Sequence, residues 1–172
     1  MITLDVLGVR VEMPTNSPIV LLRERDGVRH VPIWIGAPEA TAIAYAEQGV
    51  EPPRPLTHDL MATLISQLGR SLEQVHITGL DDGIFYAELH LDQGTVISAR
   101  PSDAIALALR TGSPIMAPEE LVAEVGITMA VEDDEDEVER FKEFLDQVSP
   151  DDFEEADPGA GPSGAPPTGG SS

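Results

Sequence analysis

Three short stretches of the chain combine charged and hydroxyl side chains in an order that suits chemistry on an anionic substrate. They are Pro38-Glu39, Arg54-Pro55-Leu56-Thr57-His58-Asp59 and Arg100-Pro101-Ser102-Asp103. Each lies at or just before the predicted start of a helix, where free N–H groups and the helix dipole favour an anion. Carboxylates and an imidazole can bind a divalent cation or exchange protons, and a guanidinium can hold a phosphate. The pattern therefore indicates a polar pocket, provided that the three helices lie side by side.

The junction at residues 100–103 is the stretch around which the rest of the chain is organised. Pro101 disfavours helical geometry at Arg100, so Arg100 is predicted to end a strand. Ser102 is predicted as the N-cap of the next helix, and Asp103 suits its first turn. Residues 104–109 are all Ala, Ile or Leu, which is typical of a buried helix. Arg100, between an apolar strand and this helix, therefore needs an anionic partner.

One interpretation is that the pocket belongs to a metal-assisted phosphodiesterase. Glu39, Asp59 and Asp103 then bind Mg²⁺ or Mn²⁺, and His58 acts as a general acid or base. Arg54 and Arg100 stabilise the charge that develops on phosphorus. The side chains predicted to bind the substrate are Arg54, Arg100 and Ser102. The sequence has neither a P-loop nor a dinucleotide-binding glycine motif, and no organic cofactor is expected.

The alternative interpretation gives the same residues structural roles. Acidic residues in a first helical turn commonly complement the helix dipole, and Thr57 and Ser102 are predicted N-caps. A carboxylate of the protein can pair with the Arg100 guanidinium as well as a phosphate can. The protein is then a non-catalytic regulatory module that binds a small anion or another protein.

Charge is distributed unevenly along the chain. The 172 residues carry 31 acidic and 10 basic side chains, a net charge of −21. Residues 130–172 hold 14 of the acidic residues, and the eight basic residues before them are all Arg. Since non-specific nucleic-acid binding relies on many cationic contacts, a polyanion has to be held here by a local group of Arg. Cys is absent, which excludes disulfides, thiolate metal sites and Cys nucleophiles.

Hydrophobic periodicity predicts the elements that position these residues. Alternating apolar residues predict strands, with a bulge at Leu7-Gly8, a hairpin turn at Asp26-Gly27 and a free edge at Pro32. The helix that begins at Thr57 has a predicted buried stripe of Leu60, Met61, Leu64, Ile65 and Leu68. The order of elements predicts a single α+β domain over residues 1–129, with a mixed, mainly antiparallel sheet and three to four packed helices.

Residues 130–172 are predicted to form an acidic tail. Apolar residues at helical spacing predict a short amphipathic helix at 137–148, docked on the domain or on a protein partner. The Gly/Pro-rich end after it is expected to be disordered. The sequence has neither an 18-residue apolar run nor a signal-peptide pattern, so no membrane association and a cytoplasmic location are expected.

Three ordered motifs also carry a resemblance. They are Val31-Pro32-Ile33-Trp34-Ile35-Gly36 followed by Glu39-Ala40, Arg54-Pro55-Leu56-Thr57-His58-Asp59-Leu60, and Ala99-Arg100-Pro101-Ser102-Asp103-Ala104. Over roughly residues 1–129 the chain is similar to the bifunctional nuclease domain family, and residues 137–153 resemble the extension of its actinobacterial members. The resemblance implies an α+β domain, a homodimer or higher homo-oligomer, and a nuclease acting on both RNA and DNA. The polar residues of the motifs are the candidates named above.

Overall fold

The computed structural model describes residues 1–128, which form one eight-stranded sheet and four helices. The strands are β1 (Ile2–Glu12), β2 (Ser17–Glu24), β3 (Arg29–Trp34), β4 (Leu72–Asp81), β5 (Ile84–Leu91), β6 (Val96–Ala99), β7 (Ile115–Ala117) and β8 (Ile127–Thr128). The helices are α1 (Ala37–Glu47), α2 (Thr57–Gln67), α3 (Pro101–Thr111) and α4 (Glu119–Val125). No helix within residues 1–128 is long and apolar enough to cross a membrane. The acidic tail and the predicted helix at 137–148 lie outside the described residues.

The sheet is mixed and mainly antiparallel, as predicted, in the order β6-β5-β4-β7-β1-β2-β3-β8. Only the β4–β7 pair is parallel among the described strands. The predicted bulge in β1 is present between Val6 and Gly8, where Gly8 adopts a φ of +116°. Pro32 pairs with β2 on one side, and β8 reaches only Arg29 and His30 on the other, which leaves the predicted free edge.

Helix α3 is the centre of the core. Ile105 and Leu107 are fully buried, which confirms the prediction of a buried helix. Burying two side chains of this size stabilises the fold by roughly 3–6 kcal/mol before the entropy cost. Helices α1 and α2 both pack against α3, and α3 packs on β4 and β5. The starts of the three helices are therefore held side by side.

The predicted buried stripe of α2 is wrong for three of its five residues. Leu60 and Leu64 are each 51% exposed and Leu68 is 76% exposed. Met61 and Ile65 do pack against the core. Two apolar faces lie next to each other on this helix, and periodicity alone does not say which one meets α3. We call the exposed row Leu56, Leu60, Leu64 and Leu68 the leucine stripe.

Both predicted N-caps are also wrong by one or two residues. Leu56 is the N-cap of α2, so Thr57 is its first helical residue. Arg100 is the N-cap of α3, and Ser102 lies inside the first turn, where it is buried. Pro101 occupies the first helical position, where its fixed φ favours the helix and its missing N–H costs nothing. Helix α3 therefore begins two residues earlier than it would with Ser102 as its N-cap.

Candidate functional site

The starts of α1, α2 and α3 converge on one cleft of about 740 Å³. Four of the candidate residues line it, together with apolar side chains such as Met61: Glu39, His58, Arg100 and Asp103. The sequence predicted a shared pocket only on the condition that the three helices pack side by side, and three of the seven candidates do not line the cleft. We call these four residues the Arg100 cluster.

Arg100 joins the carboxylates of two helices. Its Nη2 lies 2.9 Å from Glu39 Oε1. Its Nε donates to Asp103 Oδ2 at 2.7 Å, and Nη2 donates to Asp103 Oδ1 at 3.0 Å. The second guanidinium nitrogen, Nη1, takes part in none of these contacts. The side chain of Arg100 is 65% exposed and lines the cleft.

His58 is held by the same carboxylate. Its Nε2 lies 3.0 Å from Asp103 Oδ1, and the imidazole is buried. Burial alone raises the pKa of Asp103, but hydrogen bonds from Arg100 and His58 outweigh it and hold that pKa below its usual value. Asp103 is therefore ionised at neutral pH and fixes the orientation of the His58 ring.

A second groove begins on the other side of Arg100. Its lining includes Trp34, Phe85, Arg100 and Ser102. Trp34 is 55% exposed, and its Nε1 donates to Glu12 Oε2 at 2.9 Å. An anchored, exposed indole offers a face on which a nucleobase can stack. Sequence reasoning did not select Trp34 as a site residue, although an outward-facing Trp on a strand is the signal that finds it.

The structure does not bring Asp59 to the Arg100 cluster. Arg110 donates from Nε to Asp59 Oδ1, while Asp59 Oδ2 accepts the backbone N–H of Leu56 at 2.8 Å. Burial opposes ionisation of Asp59, but the bonds from Arg110 and Leu56 lower its pKa. Asp59 therefore caps α2 and pairs with Arg110.

The two remaining candidates lie at the margins. Arg54 is exposed in the connector between α1 and α2 and does not line the cleft. Ser102 is buried in the first turn of α3 and lines the Trp34 groove beside Arg100. Of the residues predicted to bind substrate, only Arg100 belongs to the cluster.

The three carboxylates predicted to hold Mg²⁺ or Mn²⁺ do not converge. Asp59 faces Arg110, whereas Glu39 and Asp103 share Arg100. Within residues 1–128 they are not among the groups whose ligand atoms lie within 4.8 Å of one another. The geometry of the described side chains therefore does not fit one ion bound by all three.

The model of the bifunctional nuclease domain matches residues 20–130, and the chain belongs to this family. The match includes the whole Arg100 cluster and confirms the resemblance found in the motifs. At the level of the family, the chain contains a nuclease-like domain.

Two relatives from Mycobacterium tuberculosis extend the comparison. They are "Uncharacterized protein MT1877" of strain CDC 1551 and "Uncharacterized protein Rv1829" of strain H37Rv. Each is 56% identical to this chain over 156 residues, which cover 86% of this chain and 95% of the relative. The similarity thus spans nearly the full length of both relatives.

Proposed function

We propose that this protein is a nuclease that hydrolyses phosphodiester bonds in single-stranded RNA and DNA at the Arg100 cluster. The observation that carries the proposal is the His58–Asp103 pair at 3.0 Å, directly beside an exposed guanidinium. A buried imidazole oriented by a carboxylate is a general acid or base, and a guanidinium binds phosphate. Membership of the bifunctional nuclease domain family supports this choice of reaction.

Each member of the cluster has a distinct task in this reaction. Arg100 binds the scissile phosphate through the donors that its carboxylate partners leave unused, and it stabilises the negative charge of the transition state. With Nε2 held by Asp103, His58 accepts through its other ring nitrogen the proton of the attacking water, whose oxygen bonds to phosphorus. The phosphorus–oxygen bond to the leaving group then breaks, the departing oxygen takes up a proton from solvent, and His58 returns its proton to solvent. Glu39 is a positioning residue because it holds Arg100 from α1.

The Trp34 groove supplies the contact to a base. It shares Arg100 with the catalytic cleft, so a base stacked on Trp34 and a phosphate at Arg100 belong to one short stretch of strand. Stacking contributes about 1–3 kcal/mol per base and tolerates any sequence. An unstacked base is required, which favours single strands over duplex substrates.

A requirement for Mg²⁺ or Mn²⁺ is a separate prediction. Glu39 and Asp103 remain candidate ligands, but Asp59 lies elsewhere, and none of the steps above depends on a metal. Cleavage rates in Mg²⁺, in Mn²⁺ and in EDTA measure the requirement directly.

Cleavage of fluorescent single-stranded RNA and DNA oligonucleotides by the purified full-length chain tests the proposal. We expect Arg100→Ala, His58→Ala and Asp103→Asn each to lower the rate by at least about 100-fold, the scale of one general acid–base contribution. Arg25→Ala is the matched control, because it breaks an exposed Arg–Asp pair that lies outside the cleft. Rates that are equal in all four variants would trace the cleavage to a contaminant.

A non-catalytic anion-binding module is the second candidate. It is favoured by the 65% exposure of the Arg100 side chain, because an exposed guanidinium binds an anion whether or not a bond is then broken. In that case the protein cleaves nothing, yet nucleotides raise its melting temperature and Arg100→Ala removes the shift. The thermal-shift assay on the same variants therefore separates binding from catalysis.

We also propose that a second copy of the chain covers the leucine stripe, giving the homo-oligomer that the resemblance implies. Leu60, Leu64 and Leu68 are exposed on one side of α2, and residues 60–69 contain no charged side chain. In a chain of net charge −21 this uncharged face is where two copies meet with least repulsion. A helix stripe facing its own symmetry mate forms a self-complementary contact.

Light scattering coupled to gel filtration measures this assembly. Leu64→Glu places a charge in the middle of the contact, and we expect it to convert the oligomer to a folded monomer. The same substitution at exposed Ile84, on β5, is the matched control and leaves the mass unchanged. A monomeric wild-type chain, or a Leu64→Glu oligomer of unchanged mass, would contradict the proposal.

A further inference from the structure

Two neighbouring strands place three potential metal ligands together, away from the Arg100 cluster. His76 of β4 is directly opposite Glu88 of β5, and His90 lies two residues beyond Glu88. Because successive side chains alternate between the faces of a sheet, all three lie on one face. The intervening residues Val75 and Leu89 are buried on the other face, among the core side chains. We call this group the His76 site.

The side chains of the His76 site are already close to one another. One ligand atom from each lies within 4.8 Å of the others. His90 Nε2 lies 3.1 Å from Glu88 Oε2, and the two imidazole centroids are 3.8 Å apart. The fourth neighbour, Gln74, places Oε1 3.0 Å from His76 Nε2. All three ligands are half-buried, so their positions are restricted by the sheet while one side stays open.

We propose that His76, Glu88 and His90 bind a divalent transition-metal ion of the Zn²⁺ type. Imidazole nitrogen and carboxylate oxygen suit such an ion, and three protein ligands leave a further coordination position for water or a substrate group. Ligands about 2.0–2.1 Å from a tetrahedral Zn²⁺ are roughly 3.3 Å apart. The His90–Glu88 separation of 3.1 Å is close to this value, and the ligand atom of His76 lies within 4.8 Å of both.

The His76 site is distinct from the proposed catalytic site. None of its residues lines the cleft of the Arg100 cluster or the Trp34 groove. A metal here joins β4 to β5, next to the pairing of β5 with β6, the strand that ends at Ala99, one residue before Arg100. The two proposals therefore stand or fall independently.

Nuclear magnetic resonance of the imidazole groups locates the metal, because the chain contains only four His. On adding one equivalent of Zn²⁺ to the full-length protein, we expect the signals of His76 and His90 to shift. Those of His30 and His58 stay unchanged. A shift of His58 alone would instead place the ion at the Arg100 cluster and overturn the inference.

Isothermal titration with Zn²⁺ gives the affinity. Loss of a residue that only hydrogen-bonds a metal ligand typically weakens metal binding about 10- to 100-fold. Because His76 and His90 are proposed as ligands, we expect His76→Ala and His90→Ala each to weaken binding by more than this. His30→Ala, on β3, is the matched control and keeps the wild-type affinity. Residues 130–172 and the Arg100 cluster are identical in every variant, so an unchanged affinity after combining His76→Ala with His90→Ala would refute the site.

Discussion

Arg110 shows at the residue scale why one predicted catalytic carboxylate has another task. Its side chain is only 10% exposed and touches three helices: Asp59 of α2, the carbonyl of Ala42 in α1 at 3.1 Å and that of Ala106 in its own helix at 2.9 Å. A buried guanidinium has to be paired, and Asp59 is the group that pairs it. The same contacts fix the relative positions of α1, α2 and α3, and hence of the cleft that the Arg100 cluster lines.

The carboxylates Asp59 and Asp103 make stability depend on pH at the acid end. Folding lowers both pKa values below the ordinary value of 3.8. A group of this kind contributes stability above its unfolded pKa and loses that contribution as the pH falls through its folded pKa. We therefore expect the free energy of unfolding, measured with urea, to decline from about pH 4 downward.

Substitution of one carboxylate identifies its share of this decline. Asp103→Asn is expected to flatten the pH dependence below about pH 4, since one linked proton is gone. Leu60→Ala removes no titrating group and retains the full slope. Identical slopes in Asp103→Asn and the wild type would show that Asp103 is not stabilised in its charged form.

At the scale of elements, α2 and α3 show that equal apolarity does not mean equal burial. Both helices are rich in Leu, Ile and Ala, yet α3 is enclosed between the sheet and two helices, whereas α2 covers α3 with one face only. The leucine stripe is what remains on the outer side of α2. Within residues 1–128, no other element covers the leucine stripe, and its side chains remain exposed.

This difference predicts unequal costs for the same substitution. Leu107→Ala in α3 leaves a cavity at a fully buried position and is expected to lower the free energy of unfolding by about 2–5 kcal/mol. Leu64→Ala, at a half-exposed position, is expected to cost less than about 1 kcal/mol in the separated protomer. Urea unfolding at low protein concentration compares them, and equal costs would mean that α2 is buried within its own chain.

At the scale of the whole molecule, the net charge of −21 opposes the proposed substrate. The described cluster offers one exposed guanidinium, flanked by carboxylates, so attraction to a polyanion is local. A long nucleic acid gains little from wrapping such a protein. In the proposed function, stacking at Trp34 supplies the part of the affinity that charge does not.

Salt dependence measures this balance. With about one phosphate contact, the affinity for a short single strand is expected to fall only about fivefold for a tenfold rise in salt, a slope near −0.7. Fluorescence anisotropy with a labelled oligonucleotide gives the slope. Trp34→Ala should weaken binding at every salt concentration without changing that slope, whereas a slope of −3 or steeper would mean that further cations contact the strand.

The sequence by itself determined the fold class, the position of most strands and helices, and the family. The α+β order, the bulge beside Gly8 and the buried α3 follow from short-range patterns of polarity, Gly and Pro. Such local rules act within a few residues, so they are visible in one chain read in order.

The tertiary structure decided which residues of those patterns meet. It placed Asp59 against Arg110 rather than against Asp103, exposed the leucine stripe, and set Trp34 beside Arg100. It also brought His76 next to Glu88 and His90, which are 12 and 14 positions further along the chain. These outcomes depend on strand register and on the rotation of each helix about its axis. Both are set by packing between distant segments, because burial and charge pairing are optimised over the whole core and not along the chain.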